Sequence, residues 1–218
     1  MKKLLTIGMV LICSAGISSI AYGSIEGSAH DLSAEGGGPI CLPCHAPHGG
    51  VTDPSAPLWN HALSDLSGVA GGAYTLYEST TLDASISQPL GVSKLCLSCH
   101  DGTTAVDSFS GDTGNTMIDT YGDGMEIGTD LSDDHPISFD YTTLLATTDG
   151  GLHDPATTSA LVVASGDAYT DGTITSDMLF GNSMECASCH DVHNKYGIGK
   201  LLVKSNANSA LCLTCHDK

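Results

Sequence analysis

Four copies of the pentapeptide Cys-x-x-Cys-His constrain this chain more than any other feature. They are Cys41-Leu-Pro-Cys44-His45, Cys96-Leu-Ser-Cys99-His100, Cys186-Ala-Ser-Cys189-His190 and Cys212-Leu-Thr-Cys215-His216. Of the nine cysteines only Cys13, inside an apolar N-terminal run, lies outside them. Two thiols three residues apart can each form a thioether to one vinyl group of a haem, and the His that follows then lies beneath the iron as proximal ligand. The spacing therefore predicts four covalent haem c groups. A disulfide framework gives no reason for a His after every pair. Zinc would be offered more ligands than a tetrahedral ion can use. A thioredoxin-like redox centre needs one such motif in a βαβ setting, not four in Gly-rich chain.

The ten histidines divide accordingly. His45, His100, His190 and His216 are proximal, which leaves His30, His48, His61, His135, His153 and His193 for four sixth positions. Neutral imidazole is a good iron ligand. His48 and His193 each follow a proximal His by three residues, so on a helical turn they point sideways toward a neighbouring haem. His30 and His135 are the next candidates, with His61 and His153 in excess. Methionine ligation would raise the potential, but Met117, Met125, Met178 and Met184 show no pattern of position. Asp101, Asp191 and Asp217 each follow a proximal His directly. They are either carboxylates that orient an imidazole or solvated residues at a turn end.

With one Trp, three Phe, seven Tyr and 26 Gly in 218 residues, the chain is poorly supplied for an ordinary apolar core. The expected fold class is a multihaem cytochrome c: mostly irregular coil with a few short helices and minor short strands, its core formed by stacked haems. Short helices are predicted at Ala56–Leu66, Val92–His100 and Asn208–His216, and a hairpin at Tyr169–Ile174 turning on Asp171-Gly172. The apo-chain is not expected to fold.

Residues 1–23 read as a secretory signal, with Lys2 and Lys3 before an apolar run and cleavage after Gly23. No later stretch approaches the ~18 consecutive apolar residues a membrane span requires. Five of the seven cations follow that leader, against 25 carboxylates, for a formal charge of −18 over the whole chain. Such a surface does not suit nucleic acid and favours basic partners or cations.

The motifs form two pairs that read as an internal repeat. Each opens on a Cys-x-x-Cys-His-x-x-His version and closes on a plain one, Leu95-Cys-Leu-Ser-Cys-His-Asp101 against Leu211-Cys-Leu-Thr-Cys-His-Asp217. This suggests a first dihaem unit at 24–110, a Gly/Asp/Thr/Ser-rich region of loops and short strands at 111–182, and a second dihaem unit at 183–218. Within a unit, one haem's extra His would serve its partner haem.

His30-Asp-Leu-Ser33, Ile40 through His48, Pro57-Leu-Trp-Asn60, Asp134-His-Pro136, Cys186 through His193 and Ser209-Ala-Leu-Cys212 carry a further likeness. The chain resembles the doubled-CXXCH multihaem cytochromes and, among them, is most similar to the tetrahaem OmcE-like proteins that polymerise into extracellular nanowire filaments. The resemblance implies a head-to-tail homopolymer with a continuous line of bis-His haems, one distal His being donated between subunits. By position that donor is His48, with His30 next; the internal distal ligands would then be His30, His135 and His193. A heterologous interface that does not close into a ring yields such a filament.

These observations predict an electron-transfer protein, secreted to the cell exterior, whose partners are itself, other redox cytochromes and extracellular electron acceptors. A monomeric periplasmic shuttle is the alternative. An enzyme is not expected, since turnover needs an open iron position and the histidines exceed the positions to be filled.

Overall fold

The computed structural model describes residues 25–36, 38–53, 56–162 and 172–218. The signal segment and the first half of the 169–174 hairpin lie outside them. Coil predominates, punctuated by short elements in the order α1 (Ser33–Gly36), β1 (Val51–Asp53), β2 (Ala56–Trp59), α2 (Gly91–His100), β3 (Phe139–Asp140), α3 (Thr143–Asp149), α4 (Ile174–Asp177), β4 (Ser183–Met184), α5 (Cys186–Cys189) and α6 (Cys212–Cys215). Among the described residues no helix is long and apolar enough to cross a membrane.

The helix predicted at 92–100 forms as α2. Its first turn lacks a side-chain cap on Leu90; instead Leu90 N–H donates to Ser138 Oγ (3.1 Å) and Ser93 N–H to the Glu185 carboxylate (3.3 Å). A remote acidic residue thus satisfies a donor that the helix leaves orphaned, at the end where the dipole favours an anion. Helix α3 is capped locally: Thr142 Oγ1 accepts from Leu145 N–H, and Gly150, at φ 71°, closes the C-terminus in a left-handed conformation that suits glycine.

Two predicted helices are corrected. Residues 56–66 are extended at their start, β2 pairing antiparallel with β1. Beyond it Asn60 N–H donates to the Cys44 carbonyl, while Ser110 N–H donates to Asn60 and Ala62 N–H to Ser108. Those backbone groups are taken by strand-like neighbours on both sides, so no intrahelical ladder can form. Gly50, just before β1, packs closely on β2: a Cβ there would lie 2.7 Å from the Leu58 carbonyl carbon. The second prediction, 208–216, survives only as α6, because Asn208 and Ser209 take left-handed φ values of 54° and 61°. Thr173, at the described end of the expected hairpin, bridges Ser159 instead.

The apolar core is split, as the scarcity of aromatics implies. One cluster gathers Tyr141, Ala160, Val162, Ile174, Met178 and Met184 with Val203 and Leu211, and Cys189 and Cys215 pack on its edge. A smaller one joins Tyr74, Leu97 and Leu131. Both abut the cysteine motifs. The two-stranded β3–β4 pairing, Phe139 with Met184, ties the central region to the third motif.

Candidate haem sites

Each motif is folded as one helical turn. His45 N–H donates to the Cys41 carbonyl (2.8 Å), His190 N–H to Cys186 (3.1 Å) and His216 N–H to Cys212 (2.9 Å), while the second motif completes α2. The turn puts both cysteines of a motif on one side. His190 and His216 leave it with extended backbone, whereas His100 is still helical.

Three distal candidates stand opposite proximal ones. His30 lies 6.1 Å from His100 between ring centres, His45 lies 6.4 Å from His193, and His135 lies 6.3 Å from His216. The interplanar angles, 67°, 10° and 77°, share nothing; the separations are nearly constant. Direct ring packing would bring parallel rings closer than perpendicular ones, yet here the parallel pair is the widest. A metal held about 2.0 Å from each nitrogen of two opposed imidazoles puts their centres about 6.3 Å apart and leaves rotation about the axis free. The pairs have that spacing; His45 and Trp59 share it at 6.3 Å, so what distinguishes the three pairs is an imidazole on both sides.

The remaining ring nitrogens fit the same chemistry. His100 Nδ1 lies 2.7 Å from the Met125 carbonyl oxygen, His190 Nδ1 2.9 Å from that of Lys200 and His135 Nδ1 2.8 Å from that of Pro136. A carbonyl fixes the proton on Nδ1 and leaves Nε2 with its lone pair for a metal. Buried His30 Nδ1 and Trp59 Nε1 have no hydrogen-bond partner, and each ring stands beside one of the proximal imidazoles, His100 and His45. Burial, followed by nearby His100, His190 and His193, lowers the pKa of His30 from 6.5 to about 4, so it is neutral, as a ligand must be. Among the described residues no three His, Cys, Asp or Glu side chains converge on one point as tetrahedral zinc requires.

His193 lies against the first motif rather than within its own pair, so the expectation that extra histidines serve haems of their own unit does not hold for it. His48 is exposed. Among the described residues His190 faces no second imidazole at the spacing of the three pairs. His61 is buried, 2% exposed, its ring nitrogens 2.6 Å from the Ala62 and 3.0 Å from the Ala105 carbonyl oxygens, with Cys99 Sγ at 3.4 Å. It holds the second motif's surroundings together. His153 N–H donates to the Cys215 carbonyl, which sets that segment beside the fourth motif.

Contacts between cysteines mark which motifs are neighbours. The Cys99 thiol is pushed up to about 12 by burial and then by Cys44. Cys96 is raised well above its ordinary value, first by its hydrogen bond with Cys186 and then by burial. Cys215 is raised to about 12 by burial and then by Cys189. First motif meets second, second meets third and third meets fourth.

The three aspartates diverge. Asp101 is buried, accepting from Tyr74 Oη (2.5 Å) and from Thr103 N–H and Oγ1 (2.8 Å each). Asp191 accepts from His193 and Lys195 N–H, and Asp217 is exposed. For His100 and His190, the proximal ring is oriented by a carbonyl instead. Sequence reasoning missed Glu185, 4% exposed, whose carboxylate accepts from Ser93 Oγ, Ser138 Oγ (3.1 Å), Ser183 Oγ (2.7 Å) and the backbone N–H groups of Ser93 and Ser188. Its capping box with Ser188 was the one local signal available.

A family profile described as the doubled CXXCH motif matches residues 181–218, which contain the third and fourth motifs. No curated protein matches the chain. The match supports a multihaem c-type cytochrome, with haem c bound covalently at these motifs and electron transfer as the activity.

Proposed function

We propose that the chain carries four haems, each held between two imidazoles, and that copies join head to tail into an extracellular filament that conducts electrons to acceptors outside the cell. The ligand pairs are His45 with His193, His100 with His30, His216 with His135, and His190 with His48 of a second copy. The observation that carries this reading is the constant 6.1–6.4 Å separation of three proximal–distal pairs, which leaves His190 and exposed His48 as the remaining candidates.

Bound haem c supplies an iron that takes up and releases one electron at a time. The residues do the rest. Each distal His comes from a segment remote from the motif it serves: His30 precedes the first motif and serves the second, His193 follows the third and serves the first, and His135 reaches the fourth from the central region. Folding and ligation are thereby coupled, and bound haem would add the apolar surface that the divided core lacks. Two imidazoles at each iron leave no position for substrate, which makes the protein a carrier rather than an enzyme. Successive contacts of the cysteine motifs run in sequence order, so the haems follow the order of the motifs. A leader of the kind expected at residues 1–23 would carry the chain out of the cytoplasm, to the periplasm or beyond it.

Negative-stain electron microscopy of the secreted, haem-loaded protein beside its His48→Ala variant tests the assembly. Filaments in the parent and their loss in the variant are expected; uniform monomers in both would leave a soluble periplasmic shuttle.

A further inference from the structure

The chain holds most of its charge on the surface, where salt screens it within about 8 Å at physiological ionic strength. A few charges are inside, and they differ in sign from place to place. Glu185 lies at the junction of α2 and α5, beside the contact of Cys96 with Cys186. It accepts from five donors, two of them backbone N–H groups, and this acceptor-only pattern is that of an ionised carboxylate. Ser93 Oγ, besides donating to Glu185, accepts from Cys186 N–H (2.9 Å), so the carboxylate and both cysteine motifs share one buried network. Its charge acts on the thiols of both Cys96 and Cys186. Asp101, 3% exposed, adds a second buried carboxylate on the far end of α2, beside Cys99.

At the fourth motif the buried charge is positive. Lys204, 9% exposed, donates from Nζ to the Ala160 carbonyl (2.9 Å) and to Thr214 Oγ1 (2.8 Å), both neutral acceptors, and Thr214 lies inside the Cys212–Cys215 turn. Its charge reaches Cys215. Asp149, Lys218, His135 and His153 also lie around His216, and Asp217 follows it directly; of these Asp149, Asp217, Lys218 and His135 are exposed.

We propose that Glu185 and Lys204 set a gradient of reduction potential along the motifs, lowest at the second and third and highest at the fourth, so that the fourth motif is the site where electrons settle. A buried anion stabilises the ferric over the ferrous state, and a buried cation does the reverse; in a poorly screened interior a single charge outweighs many on the surface. Glu185 and Lys204 are positioning residues in this sense, acting on the irons without touching them. The inference rests on haem at the second, third and fourth motifs and not on filament formation.

The test is an equilibrium redox titration of the haem-loaded protein, followed by its haem absorption, for the parent, Glu185→Gln and Lys204→Met. Glu185→Gln is expected to move the low-potential end of the curve upward and leave the high end in place. Lys204→Met is expected to move the high-potential end downward and leave the low end in place. Glu185→Asp and Lys204→Arg keep the charge while disturbing the packing, and are expected to titrate like the parent. Superimposable curves for parent, Gln and Met variants would overturn the inference, as would Asp and Arg variants that shift as far as the neutral ones. If Glu185→Gln fails to load haem, Lys204→Met with its Arg control decides the sign at the fourth motif, and no downward shift there overturns the inference. Failure of the underlying haem reading would look different: no covalent haem absorption to titrate.

Discussion

Replacing His135 by Ala separates ligation from packing. The His135 side chain is exposed, so its loss removes little buried surface. Its ring nevertheless stands 6.3 Å from His216, and its Nδ1 is engaged by the Pro136 carbonyl. If it is the sixth ligand at the fourth motif, His135→Ala vacates one iron of the four that the motifs imply. A quarter of the haem should become high-spin, read by electron paramagnetic resonance, and carbon monoxide should bind the reduced protein at one equivalent per chain above the parent. Two controls sharpen the result. His153→Ala should add no carbon monoxide site, although His153 lies near His216. His61→Ala should likewise add none, though it removes a buried ring that engages two carbonyl oxygens and should destabilise the fold. A His135→Ala protein with every haem low-spin, or a His153→Ala protein that gains a carbon monoxide site, would refute the pairing.

One further outcome follows from a buried group and is read by denaturant titration. Tyr74→Phe removes the hydroxyl that donates to buried Asp101 and should cost about 1–3 kcal/mol in the same assay. A loss within about 0.5 kcal/mol would place Asp101 in contact with water instead.

The cofactor chemistry was legible because it is local: a Cys-x-x-Cys-His pentapeptide specifies its own helical turn. Helix α2 was legible for the same reason. Which histidine stands opposite which was not, since the pairs join residues whose separation along the chain says nothing of their separation in space. His193 shows this best: like His48 it stands three residues after a proximal His, yet it lies against His45 of the first motif while His48 is exposed. Residues 56–66 carry a composition compatible with a helix, but their backbone is claimed by segments at 44–46 and 108–110. Glu185 was invisible because its partners Ser93 and Ser138 are far away in sequence, and only the short capping box with Ser188 was near.

The most direct measurement is the intact mass of the purified chain under denaturing conditions, which retain thioether-bound haem and strip every non-covalent group. The account predicts the processed polypeptide plus four haems. A mass lacking any of the four, or one equal to the bare polypeptide, would contradict it.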